Sequence, residues 1–198
     1  MANVDEYKPG TFCWIDLGTT DQDGARKFYG ELFGWSFNDK PVDENNVYTM
    51  LQKSGKDVAG LYRLGDEMQK MGVPPHWLSY VAVDSADDVA KKAKELGADI
   101  KTEPFDVFDV GRMAVVTDPT GATFALWEPK AHKGAAVVNE ANSLVWNELL
   151  TNNIDKAGAF YTDLFGWGSE SKNVGQYDYT SFLNGEKPAG GMMEIQKE

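Results

Sequence analysis

Two stretches decide the fold: WIDLGTTDQDGARKFYGELFGW at residues 14–35 and WNELLTNNIDKAGAFYTDLFGW at residues 146–167. They align without a gap. Trp14 matches Trp146, Asp16 matches Glu148, and Phe28-Tyr29 matches Phe160-Tyr161. Leu32-Phe33-Gly34-Trp35 matches Leu164-Phe165-Gly166-Trp167. Further on, Tyr48-Thr49 and Gly60 recur as Tyr179-Thr180 and Gly191. A repeat of this density defines the structural unit before any local reading.

Each copy opens with a short apolar strand, at residues 12–17 or 144–150, and passes through a polar break into an amphipathic helix. In the first copy Ala25, Phe28, Tyr29, Leu32 and Phe33 make one apolar stripe at helical spacing. Thr20 or Asp21 is the expected N-cap and Gly34 the expected stop. Strand-like runs follow at residues 36–37, 47–52 and 58–63. A more diverged copy lies between the two. It has a strand at residues 77–83, a variant capping box of Ser85 and Asp88, and a helix face of Val89, Ala93 and Leu96 ended by Gly97. Strands at residues 100–102, 111–117 and 123–127 complete it, the last two joined by the Asp118-Pro119-Thr120-Gly121 turn.

The chain therefore reads βαβββ three times and belongs to the α+β class. Residues 8–129 are expected to form one domain of two modules, paired into a cupped mixed sheet with helices outside. Residues 130–142 read as a linker and residues 143–198 as a third module, a half domain.

Among 198 residues, 31 are acidic and 19 are Lys or Arg, a formal charge of −12. That balance argues against general binding to nucleic-acid phosphates or anionic lipid, both of which need clustered basic residues. Cys13 is the only cysteine, so an intrachain disulfide and a Cys-based zinc site are excluded. The first ten residues are polar, and no apolar run approaches the roughly 18 residues of a membrane helix, so a cytoplasmic location is expected.

The FY-x2-LFGW helix ends at Phe28–Trp35 and Phe160–Trp167, together with the Asp118-Pro119-Thr120-Gly121 turn before a terminal strand, resemble the vicinal oxygen chelate superfamily. That superfamily includes glyoxalase I, extradiol dioxygenases and the fosfomycin- and bleomycin-resistance proteins. The likeness is greatest to its tandem members, with four modules. It implies that two modules enclose a ligand on a concave face. It also implies metal-ligand positions, one on the first strand seven residues before an Asp or Asn and one seven residues after the Asp of the turn. In this chain those positions hold Trp14, Trp77, Trp146 and Ala125. None offers a lone pair suited to a divalent ion, so neither a metal nor another cofactor is expected.

Strand alternation puts Trp14 and Asp16 on one face and Trp77, Ser79 and Val81 on the equivalent face. The expected ligand cup is lined by Trp14, Asp16, Trp77, Ser79, Ala125 and Trp127. Arg112 is a partner for Asp16 or a ligand clamp, and Glu148 repeats the Asp16 position beside Trp146. Indoles with one carboxylate suit a flat or cationic organic ligand. The competing readings are core packing for the tryptophans and structural ion pairs for Asp16 and Glu148. His76 and His132 are too few for a usual metal site. Cys13 is expected on the helix side as a small buried hydrophobe, and Glu128 on the face opposite Trp127.

Three functions remain open. The first is a metal-independent, bleomycin-resistance-like protein that binds a small aromatic or hydrophobic molecule. The second is an isomerase, lyase or natural-product-modifying enzyme with Asp16 as general base. The third is a metal-dependent glyoxalase or dioxygenase with non-standard ligands. The unpaired third module is expected to meet its counterpart in a second copy, giving a homodimer. The alternatives are that it packs on the first domain of its own chain, or that the chain is a truncated four-module protein.

Overall fold

The βαβββ order is realised three times in the computed structural model, which describes residues 4–196. The first module comprises β1 (Phe12–Thr19), α1 (Gln22–Phe33), β2 (Ser36–Pro41), β3 (Val47–Lys53) and β4 (Lys56–Arg63), followed by a short α2 (Asp66–Lys70). The second comprises β5 (His76–Ala82), α3 (Ala86–Glu95), β6 (Asp99–Val107), β7 (Gly111–Thr117) and β8 (Thr123–Pro129). The third comprises β9 (Glu148–Thr151), α4 (Ile154–Phe165), β10 (Gly168–Asn173), β11 (Asp178–Asn184) and β12 (Lys187–Glu194). The class is α+β, with two mixed sheets. One runs β2-β3-β4-β1-β5-β8-β7-β6 and the other β10-β11-β12-β9.

Local chemistry sets the helix ends. Asp21, Ser85 and Asn153 each accept a first-turn backbone N–H through the side chain. Gly34 and Gly166 end α1 and α4 in the left-handed conformation, at φ 68° and 69°.

The chain divides into two compact units. Among the described residues the first takes those up to Glu6, Trp14–Ser79 and Gly134–Val145, and the second takes Tyr7–Cys13, Tyr80–Lys133 and those from Trp146 onward.

In the first unit α1 lays Ala25, Tyr29 and Phe33 against Ile15, Leu17, Leu51, Ala59 and Leu61 of the sheet. The expected stripe is narrower than its sequence, because Phe28 and Leu32 are 58% and 56% exposed. Gln22 ties the start of α1 to the sheet through Thr49 and the carbonyls of Val47 and Leu61. Residues 134–145 run along this module. Val137 joins its core, Trp35 donates to the Asn142 carbonyl at 3.0 Å, and Lys53 meets Glu140 at 3.2 Å.

In the second unit the second and third modules share one core. Ala86, Ala90 and Ala93 of α3 and Val81, Ala114, Val116, Phe124 and Leu126 of the sheet pack with Phe160, Tyr161 and Leu164 of α4, and with Trp167, Phe182 and Met192. Each large apolar side chain buried there contributes about 2 kcal/mol. Polar contacts fix the alignment. Tyr161 Oη donates to Asp118 Oδ2 at 2.9 Å, and Lys92 Nζ donates to the Leu164 carbonyl at 3.2 Å. The third module thus rests its helix side on its own chain. Its opposite face leaves Trp146 and Leu150 42% and 56% exposed.

Candidate functional site

The polar centre of the first module arises from a two-residue alternation on β1. Ile15 and Leu17 face α1, so Trp14 and Asp16 face away from it, and both are buried. Asp16 is registered with Gly60 on β4, and β3 lies beyond β4. Tyr48 on β3 reaches across Gly60 to complete a chain of hydrogen bonds. Trp14 Nε1 donates to Tyr48 Oη at 2.9 Å, and Tyr48 Oη donates to Asp16 Oδ2 at 3.0 Å. Gly60 is required because a Cβ there would overlap the Tyr48 hydroxyl and stand 2.9 Å from Asp16 Cβ. Tyr62 stacks on Tyr48 with ring centroids 6.3 Å apart.

Burial, and then the Asp16 carboxylate, push the Tyr48 phenol well above its ordinary value and the Tyr62 phenol up to about 12. Both phenols therefore stay protonated at neutral pH, and Tyr48 acts as a donor toward the carboxylate.

The third module repeats the chain of hydrogen bonds, with Glu148 in place of Asp16. Trp146 Nε1 donates to Tyr179 Oη at 3.0 Å, and Tyr179 Oη donates to Glu148 Oε2 at 2.9 Å. Glu148 is registered with Gly191, where a Cβ would overlap the Tyr179 hydroxyl. Burial, and then the hydrogen bond to Glu148, raise the Tyr179 pKa. Tyr48 and Tyr179 are the site residues that the sequence reading missed. Their signal was present in the matched Tyr-Thr pairs and in the recurrence of Gly60 as Gly191.

The other expected lining residues are placed as follows. Trp77 donates to Tyr29 Oη at 3.1 Å and meets that ring edge to face at 5.3 Å, so its indole lies beside α1, on the other side of the sheet from Trp14. Val81 packs against α3, and Ser79 shares the parity of Trp77 and Val81. The parity of β5 is thus offset from the expectation, and one residue of offset exchanges the two faces. On β8, Phe124 and Leu126 face the helices, which turns Ala125 and Trp127 to the opposite face. Trp127 lies over Gly111, meets Tyr80 at 6.2 Å and donates to the His132 carbonyl at 3.0 Å.

Arg112 is paired with carboxylates other than Asp16. Its guanidinium grips Asp87 of α3 at 2.6 and 2.9 Å and lies 3.5 Å from Asp106. Hydrogen bonds from Arg112 hold the Asp87 carboxyl below its usual range. Glu128 lies on the helix side, as expected, where it accepts the Ala86 N–H at the start of α3. Cys13 is fully buried, and burial pushes its thiol up to about 12, which suits an inert side chain.

The donor set does not fit the metal centre that the fold implies. On the faces away from the helices, Trp14, Ala125 and Trp146 supply no ligand atom. Among the described residues, no three His, Cys, Asp or Glu side chains converge to hold an ion. The site can instead offer fixed indole planes beside a carboxylate whose orientation a tyrosine sets.

Comparison with known proteins agrees with the module architecture. The chain is 42% identical over 197 residues to CFP32 of Mycobacterium bovis, a protein named for a glyoxylase, covering 98% of this chain and 75% of that one. It is 32% identical over 199 residues to the anthracycline biosynthesis protein DnrV of Streptomyces peucetius, covering 96% and 72%. Among solved structures, the Mn(II)-bound glyoxalase of Novosphingobium aromaticivorans superposes with a TM-score of 0.67 at 17% identity. That match covers 95% of this chain and 62% of the glyoxalase, and at this identity it bears on the fold alone. Residues 11–126 match the glyoxalase/bleomycin resistance protein/dioxygenase superfamily, and the chain belongs to that superfamily.

Proposed function

We propose that the protein binds a small aromatic or hydrophobic organic molecule without a metal ion, on the sheet faces that carry the Trp–Tyr–carboxylate chains. The observation that carries this reading is the duplicated constellation. In each copy a tyrosine accepts a hydrogen bond from an indole and donates one to a carboxylate, and among the described residues no three His, Cys, Asp or Glu side chains converge to hold an ion. The fixed indole suits stacking and the carboxylate suits a cationic substituent. The third-module copy is the accessible one, with Trp146 and Tyr177 at the surface. A relative named for anthracycline biosynthesis supports a fused-ring ligand, since anthracyclines are flat polycyclic aromatics.

The test is titration of tryptophan fluorescence with an anthracycline. Binding is expected to quench emission and to survive chelation. Trp146→Phe and Glu148→Gln, or Trp14→Phe and Asp16→Asn, should weaken it by about tenfold or more. Trp77→Phe, on the helix side, should leave it unchanged. Affinity indifferent to both pairs of changes sinks the reading. So does about one transition ion per purified chain whose removal abolishes binding.

A second reading makes Asp16 a general base in an isomerase or lyase. The observation that favours it is a buried carboxylate oriented by the Tyr48 hydroxyl at 3.0 Å. Turnover lost in Asp16→Asn with binding intact separates this reading from simple binding.

A further inference from the structure

β1 and β4 hold one more polar group on the face of Trp14 and Asp16. Gly18 follows Asp16 by two residues, so it shares that face, and it is registered with Tyr62 on β4. Tyr62 folds across it. A Cβ on Gly18 would stand 2.8 Å from Tyr62 Oη and 3.0 Å from Tyr62 Cζ. The Tyr62 ring lies nearly parallel to that of Tyr48, with 12° between their planes, and the Asp16 carboxylate acts on both phenols. Tyr48 Oη is committed, since it accepts from Trp14 and donates to Asp16. Tyr62 is half-buried, and its hydroxyl makes no hydrogen bond among the described residues.

The third module does without this hydroxyl. Leu150 and Met193 hold the places of Gly18 and Tyr62, registered with each other as that pair is. Two apolar side chains therefore serve the same two strands. A glycine within a strand gives up side-chain packing and adds backbone freedom to the unfolded chain. The first module carries that cost at Gly18 and seats a protonated hydroxyl near a carboxylate. An open donor beside an indole selects for an acceptor oxygen. A ligand with such an oxygen gains a hydrogen bond, and one without it leaves the donor unpaired.

We propose, on the binding reading above, that Tyr62 is a specificity-determining residue of the first-module site. Its hydroxyl donates to a carbonyl or quinone oxygen on the ring of a flat aromatic ligand. The third-module copy, with Met193 in that place, makes no such selection.

The probes are 2-(aminomethyl)anthraquinone and 2-(aminomethyl)anthracene. They share a three-ring plane and an ammonium group and differ in two carbonyl oxygens. Each is titrated against the full chain by tryptophan fluorescence. In the Trp146→Phe/Glu148→Gln variant, which weakens the third-module copy, the quinone should bind about three- to tenfold more tightly than the hydrocarbon. Adding Tyr62→Phe should bring that ratio close to one, through loss of quinone affinity. In Trp14→Phe/Asp16→Asn, which weakens the first-module copy, the ratio should be close to one from the outset. The proposal is overturned by a ratio close to one before Tyr62 is changed, by a ratio that survives Tyr62→Phe, or by the same preference in the third-module copy. In those cases the binding reading stands. Affinity for both compounds that is indifferent to both double variants overturns the binding reading, and this proposal with it.

Discussion

The first and third modules hold the same three-residue chain in different surroundings. Trp14, Tyr48 and Asp16 sit over Gly60 with the indole and carboxylate 3% and 2% exposed, whereas Trp146, Tyr179 and Glu148 sit over Gly191 with the indole 42% exposed. The hydrogen-bond lengths agree within 0.1 Å. Geometry is therefore a property of the module, fixed by a tyrosine that crosses a glycine on the strand between. Energetic weight is a property of burial. Lost hydrogen bonds cost most where water cannot replace them, so the closed copy should dominate stability and the open copy should govern access.

The largest expected difference is at the crossing glycines. Gly60→Ala forces the Tyr48 hydroxyl out of a packed interior and should cost about 3 kcal/mol. Gly191→Ala displaces Tyr179 toward solvent and should cost about 1 kcal/mol. Urea denaturation measures both, and equal losses would break the comparison. Next come the hydroxyls. Tyr48→Phe should cost about 2 kcal/mol through loss of a buried bond to a carboxylate, and Tyr179→Phe about 0.5 kcal/mol.

Alkaline pH sharpens the same contrast. A phenol whose folded pKa is raised above its unfolded value of 10.0 contributes stability that is intact below pH 10. That stability is lost as pH rises through the folded values, to about 12 for Tyr62 and further for Tyr48. Unfolding free energy should fall above pH 10, and less steeply in Tyr48→Phe than in the parent chain. An unchanged slope would place the titration elsewhere. The smallest effect is optical. Acrylamide should quench the emission removed by Trp146→Phe far more readily than the emission removed by Trp14→Phe.

Several elements were legible from local pattern. The repeat of Trp14–Trp35 at Trp146–Trp167 gave the modules, and Asp21, Ser85, Gly34 and Asp118 act as their residue types suggest. Asp118 accepts the Thr120 and Ala122 amides through its side chain, which closes the turn between β7 and β8. These are short-range signals, carried by residues within five positions of one another.

What the sequence by itself determined is the βαβββ order, the α+β class, the absence of donors at Trp14, Trp77, Ala125 and Trp146, and the spacing of an indole two residues before a carboxylate at Trp14 and Asp16 and at Trp146 and Glu148. These follow from periodicity and side-chain chemistry, which need no knowledge of the neighbours. Only the tertiary structure decided that Trp77 belongs to α1, that Arg112 belongs to Asp87 and Asp106, and that Tyr48 and Tyr179 complete the carboxylate sites. It also decided that residues 134–145 follow the first module and that the third module buries α4 against the second. The physical reason is range. Strand parity flips on a single residue of register, and the contacts that set it join side chains 31 to 48 positions apart in the chain.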